Sequence, residues 1–284
     1  CSMNSEPIEK KPFYHFMPGQ QAMSIATLGC NLHCQQCQNW QISQTKPEYY
    51  PSIQLTPEEV ISKTIEAECK IIAYTYTEPT VFYEYMLDIA KIAKRQGIKN
   101  VIVSNGFINP EPLKELCKYI DAANIDLKSI TGGFYKKICD GDLKPILKSI
   151  EILHKNKIWT EITNLVIPEL NDKEQEIKEL AEWVKNLDSS MPLHFSAFSP
   201  TYKLTSIEPT PKETLIKARQ IALKAGLNYV YTGNIDYDEG STTYCPNPKC
   251  KKPLIVRQGN YVFKNYVNEG KCKFCNEKIA GVWE

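Results

Sequence analysis

The chain has 284 residues, 42% of them hydrophobic and 24% charged. That length suits one large domain, or one large and one small, with a sizeable core. Thirty-four basic against 33 acidic residues leave a net charge of +1, which gives no support to binding nucleic acid by bulk charge. No apolar run approaches the roughly 18 residues of a membrane span, and no signal peptide opens the sequence, so a cytoplasmic protein is expected.

In chain order, an N-terminal extension over 1–21 precedes a first strand at 22–28. Further strands are expected at 71–75, 100–104, 122–126, 159–167 and 193–198, with a weaker seventh at 228–232. Helical patterns lie between them. Thr56-Pro57-Glu58-Glu59 reads as a capping box with Pro at the first helical position, and Thr210-Pro211-Lys212-Glu213 repeats it. A helix over 81–96 ends at Gly97, Asp172 caps 173–187, and 143–155 supplies another. Alternating strands and helices imply right-handed βαβ units and a parallel sheet. The strands are too few for a complete eight-stranded barrel, and no G-x-G-x-x-G follows the first. An α/β fold with an open, partial (β/α)6 TIM-like barrel over 22–235 therefore fits best. After about residue 236, short β-like runs at 254–257 and 261–263 sit between cysteine pairs, with no room for a core. This reads as a second, metal-stapled domain over 236–284.

Eleven cysteines stand out. Clusters in a chain without a secretion signal read as metal ligands before disulfides. Cys30, Cys34 and Cys37 form C-x3-C-x2-C directly after the first strand. They are one thiolate short of the four that fill a [4Fe–4S] cluster, leaving one iron open to a small chelating molecule. The loop leaves the carboxyl end of its strand, where parallel βα architectures place their chemistry. A zinc site completed by His33 is the competing reading, against which the adjacency of His33 to Cys34 counts. Cys245-x4-Cys250 and Cys272-x2-Cys275 flank a β-rich insert and suit a tetrahedral four-sulfur site of zinc-ribbon type. Zinc is favoured there; iron, or a second cluster feeding electrons to the first, fits the same spacing. Cys69, Cys117 and Cys139 read as small apolar residues.

The triad's position in the barrel resembles the radical S-adenosylmethionine (SAM) superfamily. Cys37-Gln38-Asn39-Trp40-Gln41-Ile42-Ser43-Gln44, the upstream Pro7-Ile8-Glu9-Lys10-Lys11-Pro12 with His15-Phe16, and Tyr74-Thr75-Tyr76-Thr77-Glu78-Pro79 narrow it. Together they resemble the radical SAM enzyme of the AmmeMemoRadiSam system, a relative of the glycyl-radical-enzyme activases. The likeness runs from about residue 5 to Trp283 and includes the C-terminal cysteine pairs. Family members usually carry a further N-terminal segment; this sequence opens on Cys1.

The resemblance implies that SAM chelates the open iron and that its reductive cleavage yields a 5′-deoxyadenosyl radical. That radical would take a hydrogen atom from an unidentified, small-molecule substrate. Glu78, with Thr77 beside it, matches the segment that meets the methionine amino group, although the family's two glycines are absent. Ser104 ends the third strand. Asp126 and Lys128 share one side of the fourth, and Lys128 matches a lysine that meets the methionine carboxylate. Asp126 instead suits the barrel mouth or a cation, but the activases' partner aspartate is Val103 here. Gln36 stands where an aromatic residue is usual. Leu165 is a candidate adenine contact, and His194 either a ribose contact or an interior histidine. The expected partners are SAM, a one-electron donor of flavodoxin or ferredoxin type, and Memo-like and AMMECR-like proteins; neither a membrane nor nucleic acid is expected. The competing functions are an activase installing a glycyl radical on a protein, and a non-catalytic iron–sulfur and zinc scaffold or electron-transfer module. No general base, nucleophile or substrate anchor is legible.

Overall fold

The β-branched runs become strands in a computed structural model that describes residues 2–49 and 53–284. Among these residues the main sheet has eight strands in sequential order. They are β1 (Ser2–Pro7), β2 (Gln21–Ala26), β3 (Ile71–Tyr74), β4 (Lys99–Ser104), β5 (Ala122–Asp126), β6 (Trp159–Val166), β7 (Leu193–Ala197) and β8 (Val230–Gly233). Every pair from β2 to β8 is parallel. Six strand–helix units thus run from β2 to β7 as expected, and the weak seventh strand follows them as β8, paired with β7. Residue 228 falls outside β8; its backbone N–H bonds to the Ser189 carbonyl. β1 is antiparallel to β2, from Ser2 opposite Ala26 to Pro7 opposite Gln21. Its polar sequence is typical of an edge strand and carries no apolar alternation to reveal it.

The helices are α1 (Trp40–Ser43), α2 (Pro57–Glu66), α3 (Tyr83–Arg95), α4 (Pro110–Leu116), α5 (Gly132–Phe134), α6 (Leu143–Lys155), α7 (Glu174–Leu187) and α8 (Lys212–Lys224). Thr56 and Glu59 close both bonds of the α2 capping box. Thr210 does not cap α8, because its hydroxyl donates to the Val166 carbonyl and accepts from the Phe198 N–H. Asp172 likewise leaves α7 uncapped and accepts from the Glu169 N–H.

One face of the sheet packs on the helices through residues such as Ile72, Tyr74, Ile102 and Ala123. The alternate residues Ile71, Ala73, Val101 and Ala122 face inward, as the two-residue period demands. There they meet Ile8, Phe13, Phe16 and Met17, so the segment after β1 plugs the barrel floor. Residues beyond 242 form a three-stranded sheet of β9 (Thr243–Tyr244), β10 (Pro253–Gln258) and β11 (Tyr261–Asn265). Its Leu254, Ile255 and Ile279 pack on Tyr14, Tyr229 and Tyr231 at the amino ends of the strands.

His15 joins these parts. Its Nδ1 lies 2.7 Å from the Ala280 carbonyl and its Nε2 bonds the Tyr231 hydroxyl at 2.5 Å. Burial holds the imidazole near pH 4, below its usual range, despite the nearby Glu161 carboxylate. The folded state therefore keeps His15 neutral while the unfolded chain protonates it below about 6.5. Stability is expected to fall by about 3 kcal/mol as pH drops from 6.5 toward 4. Urea denaturation midpoints across that window check this; a flat profile, or one unchanged in His15→Gln, contradicts it.

Candidate active site

The carboxyl ends of the strands open into a cavity of about 320 Å³. The loop after β2 supplies Cys30, Cys34 and Cys37 to its lining. Gly29 starts that loop at φ +101°, a conformation that disfavours any side chain. The His33 and Gln35 N–H groups then bond to the Cys139 and Ile138 carbonyls, and the Lys203 N–H bonds to the Gln35 carbonyl. His33 faces Asp140 at the exposed surface, away from the three sulfurs, so zinc completed by His33 has no geometric support. All three thiols are free. Burial pushes Cys30 up to about 12, and a bond with Cys139 together with burial raises Cys34. Iron binding would displace these protons.

Around the thiols the strand ends place Thr77, Glu78, Ser104, Asp126, Lys128 and Leu165 in the same cavity. Glu78 is only 2% exposed, not a solvent-facing junction residue. Its Oε1 accepts from Ser104 Oγ at 2.8 Å and from the Thr80 N–H at 3.1 Å, and its Oε2 from the Asn105 N–H at 2.8 Å. Burial pushes the carboxyl up, and these donors together with the Thr80 hydroxyl offset part of that effect. Lys128 Nζ lies 2.9 Å from Asp126 Oδ2. Burial alone would lower the ammonium, but Asp126 and the neighbouring thiols hold it well above its usual value. Two of its three N–H donors remain for a further anion. Thr77 Oγ1 donates to the Thr27 carbonyl, tying the Glu78 loop to the end of β2.

His194 does not reach the cavity. It shares the inward face of β7 with Ser196, which lines the cavity, but sits two residues, about 6.6 Å, closer to the floor. There its Nε2 lies 2.7 Å from Glu161 Oε2. The Glu161 carboxylate also accepts from the Tyr14 and His15 N–H groups and from Trp159 Nε1, so His194 is an interior residue of the plug.

The lining also holds Gln36, a departure from the family pattern, and Lys10, Lys11 and Tyr76, to which the sequence assigned no role. Lys11 is 3% exposed, bonds to Glu6 at 2.5 Å and lies 3.9 Å from the Tyr76 ring centroid. Lys10 and Tyr76 join the same Glu6 carboxylate. Burial would raise that carboxyl, but its three partners pull it down to about 2. Gln36 is buried and its Oε1 has no partner. Its place in the cysteine motif was the available signal, whereas the inward turn of Lys11 follows only from the plug.

The second cysteine group is compact. The sulfurs of Cys245, Cys250, Cys272 and Cys275 all lie within 4.8 Å of one another. Cys245–Cys275 and Cys250–Cys272 are 3.5 and 3.9 Å apart, and a tetrahedral site with metal–sulfur bonds near 2.3 Å needs about 3.8 Å. Each pair ends in a left-handed residue, Lys251 or Asn276, as a metal-binding knuckle requires. These four thiols can hold a tetrahedral metal ion.

Three free thiols, a carboxylate and a paired ammonium on one cavity fit an open-iron [4Fe–4S] cluster with a chelating amino acid. Cys139 bonds to Cys34 but does not line the cavity. No helix among the described residues is long and apolar enough to cross a membrane.

Comparison with known proteins agrees with this architecture. Residues 24–184 match the model of the radical SAM superfamily. An uncharacterized protein of Methanocaldococcus jannaschii is 46% identical over 98% of this chain and 83% of its own length. A pyruvate formate-lyase-activating enzyme of Clostridium pasteurianum is 26% identical over 65% of this chain and 83% of its own. Among solved structures, a radical SAM methyltransferase from Sphaerobacter thermophilus superposes with a TM-score of 0.60 at 14% identity, covering 80% of this chain and 69% of the other. The chain belongs to the radical SAM superfamily.

Proposed function

We propose that Cys30, Cys34 and Cys37 hold the superfamily's [4Fe–4S] cluster and that SAM binds beside it in the same cavity. The observation that carries this is the convergence of three free thiols with Glu78 and the Asp126–Lys128 pair on one cavity at the carboxyl strand ends. Bound there, the two cofactors supply one-electron cleavage of SAM and hydrogen-atom abstraction. Glu78 receives the methionine ammonium, and Lys128, held by Asp126, receives the methionine carboxylate. Ser104 fixes the Glu78 carboxylate, and Thr77 fixes the loop that carries it. Leu165 offers an apolar contact, and the unpartnered Gln36 Oε1 an acceptor, to the adenine.

The substrate in this reading is a small molecule. The electron comes from a flavodoxin or ferredoxin. The likeness extending to Trp283 supports a place in the AmmeMemoRadiSam system, beside Memo-like and AMMECR-like proteins in the cytoplasm. Residues 236–284 form its structural module, with zinc on the four C-terminal thiols.

Deuterium transfer into 5′-deoxyadenosine tests the reading. Label is expected from a small metabolite. Transfer from a glycine of a partner protein would make the enzyme an activase, and absence of SAM binding would favour the scaffold. Glu78→Gln keeps the shape but loses the charge-assisted bond. It is expected to weaken SAM binding by about 10- to 100-fold with iron content unchanged. Equilibrium dialysis of reconstituted protein reads this, and unaltered affinity removes Glu78 from the site.

A further inference from the structure

The surface changes character beyond β9. All seven lysines between 249 and 278 are exposed, against two acids, Glu269 and Glu277, in the same stretch. Among the described residues none of the seven forms an ion pair, whereas ten lysines elsewhere do. Even with a divalent ion on four thiolates, residues 245–284 keep a net positive charge. A chain-wide charge of +1 conceals this local excess.

Aromatic rings are interleaved with these lysines. Tyr261 and Phe263 project from the same face of the edge strand β11 and are 68% and 64% exposed. Lys264 Nζ lies 5.5 Å from the Phe263 ring and Lys252 Nζ 4.7 Å from Phe274, itself 43% exposed. Tyr266 packs edge-on against Phe274 with Lys273 Nζ 5.8 Å away.

Exposed rings alone suit many partners, but the cores of protein interfaces are depleted in lysine. Unpaired ammonium groups beside exposed rings suit a polyanion with free flat faces. Paired bases hide their faces within the stack, so an unpaired strand is the polyanion that uses both features. We propose that the C-terminal module is a docking surface for single-stranded nucleic acid. Its lysines meet phosphates, and Tyr261, Phe263 and Phe274 stack on bases. The surface belongs to a module packed at the amino ends of the strands, the opposite end from the catalytic cavity. The proposal is therefore independent of the assignment made for that cavity.

The test is fluorescence anisotropy of the full chain with labelled single strands of about 20 nucleotides, as RNA and as DNA. A duplex of equal length and polyglutamate serve as competitors. Single strands are expected to bind, with affinity falling by a log–log salt slope of about −0.7 per phosphate contacted. Preference between RNA and DNA identifies the source of the strand. Tyr261→Ala with Phe263→Ala should lower affinity about tenfold or more. Lys264→Ala with Lys273→Ala should flatten the salt slope by about 1.4. Metal content and melting temperature should stay unchanged, because all four side chains are exposed. Absence of binding in low salt, binding indifferent to loss of both rings, or equal competition by polyglutamate would each overturn the proposal, the last in favour of an acidic protein partner.

Discussion

Cys30→Ala, Cys34→Ala and Cys37→Ala are each expected to reduce SAM cleavage to the cluster-free background. Reconstituted iron at this site should fall by about four per chain. The loop itself should survive, because backbone bonds to Cys139, Ile138 and Lys203 hold it from both sides. The Gln44 side chain also donates to the Leu32 carbonyl, across the loop. Thermal melting of the cluster-free variants should therefore match that of cluster-free parent protein, separating lost chemistry from lost fold. Cys139→Ala is the informative control, since its sulfur touches Cys34 but stays out of the lining. It should keep its iron. Iron and 5′-deoxyadenosine retained in Cys34→Ala would refute the assignment of the triad.

Removing the C-terminal metal should have the other large effect. Residues beyond 242 bury few apolar side chains of their own, so the four-thiol site supplies much of their folding energy. Cys272→Ser is expected to expose this segment to proteolysis. The damage should spread, because Arg257 from β10 is fully buried against Glu9. Its guanidinium also donates to the Tyr14 carbonyl at 2.6 Å and to Thr243 Oγ1 at 3.0 Å. Withdrawing one member of a buried ion pair costs about 3–5 kcal/mol. For a chain of this size that lowers the melting temperature by roughly 5–8 °C. Calorimetry of metal-free and metal-loaded protein measures it. A barrel melting at the same temperature in both would show that the module is not coupled to the floor.

The parallel strands were legible in the sequence because each is a short apolar run bounded by turn signals. Both cysteine groups were legible because spacing alone brings sulfurs together on one loop or two knuckles. The strand of Ser2–Pro7 was not, since a polar edge strand looks like an extension until its partner is known. Lys11 and Tyr76 share a cavity wall only because the segment after β1 folds into the barrel, a contact across more than sixty residues. His194 was left between a ribose contact and an interior place, and the structure gives it the interior one. Its early place in the strand counted for the interior, but only the structure shows that one pleat separates the plug from the cavity. The misread caps at Thr210 and Asp172 share a cause, since each side chain found a nearer partner than the helix end.

The Glu9–Arg257 pair also orders events during synthesis. Chains emerge amino end first, and folding units close as their last residue appears. The floor segment leaves the ribosome well before β10, so Glu9 waits for its countercharge for nearly 250 residues. Through most of translation the nascent barrel therefore lacks its lower seal, and Glu9 is more favourably left in water than buried alone. A chain ending before Arg257 would leave that carboxylate with the Gly19 N–H and no countercharge.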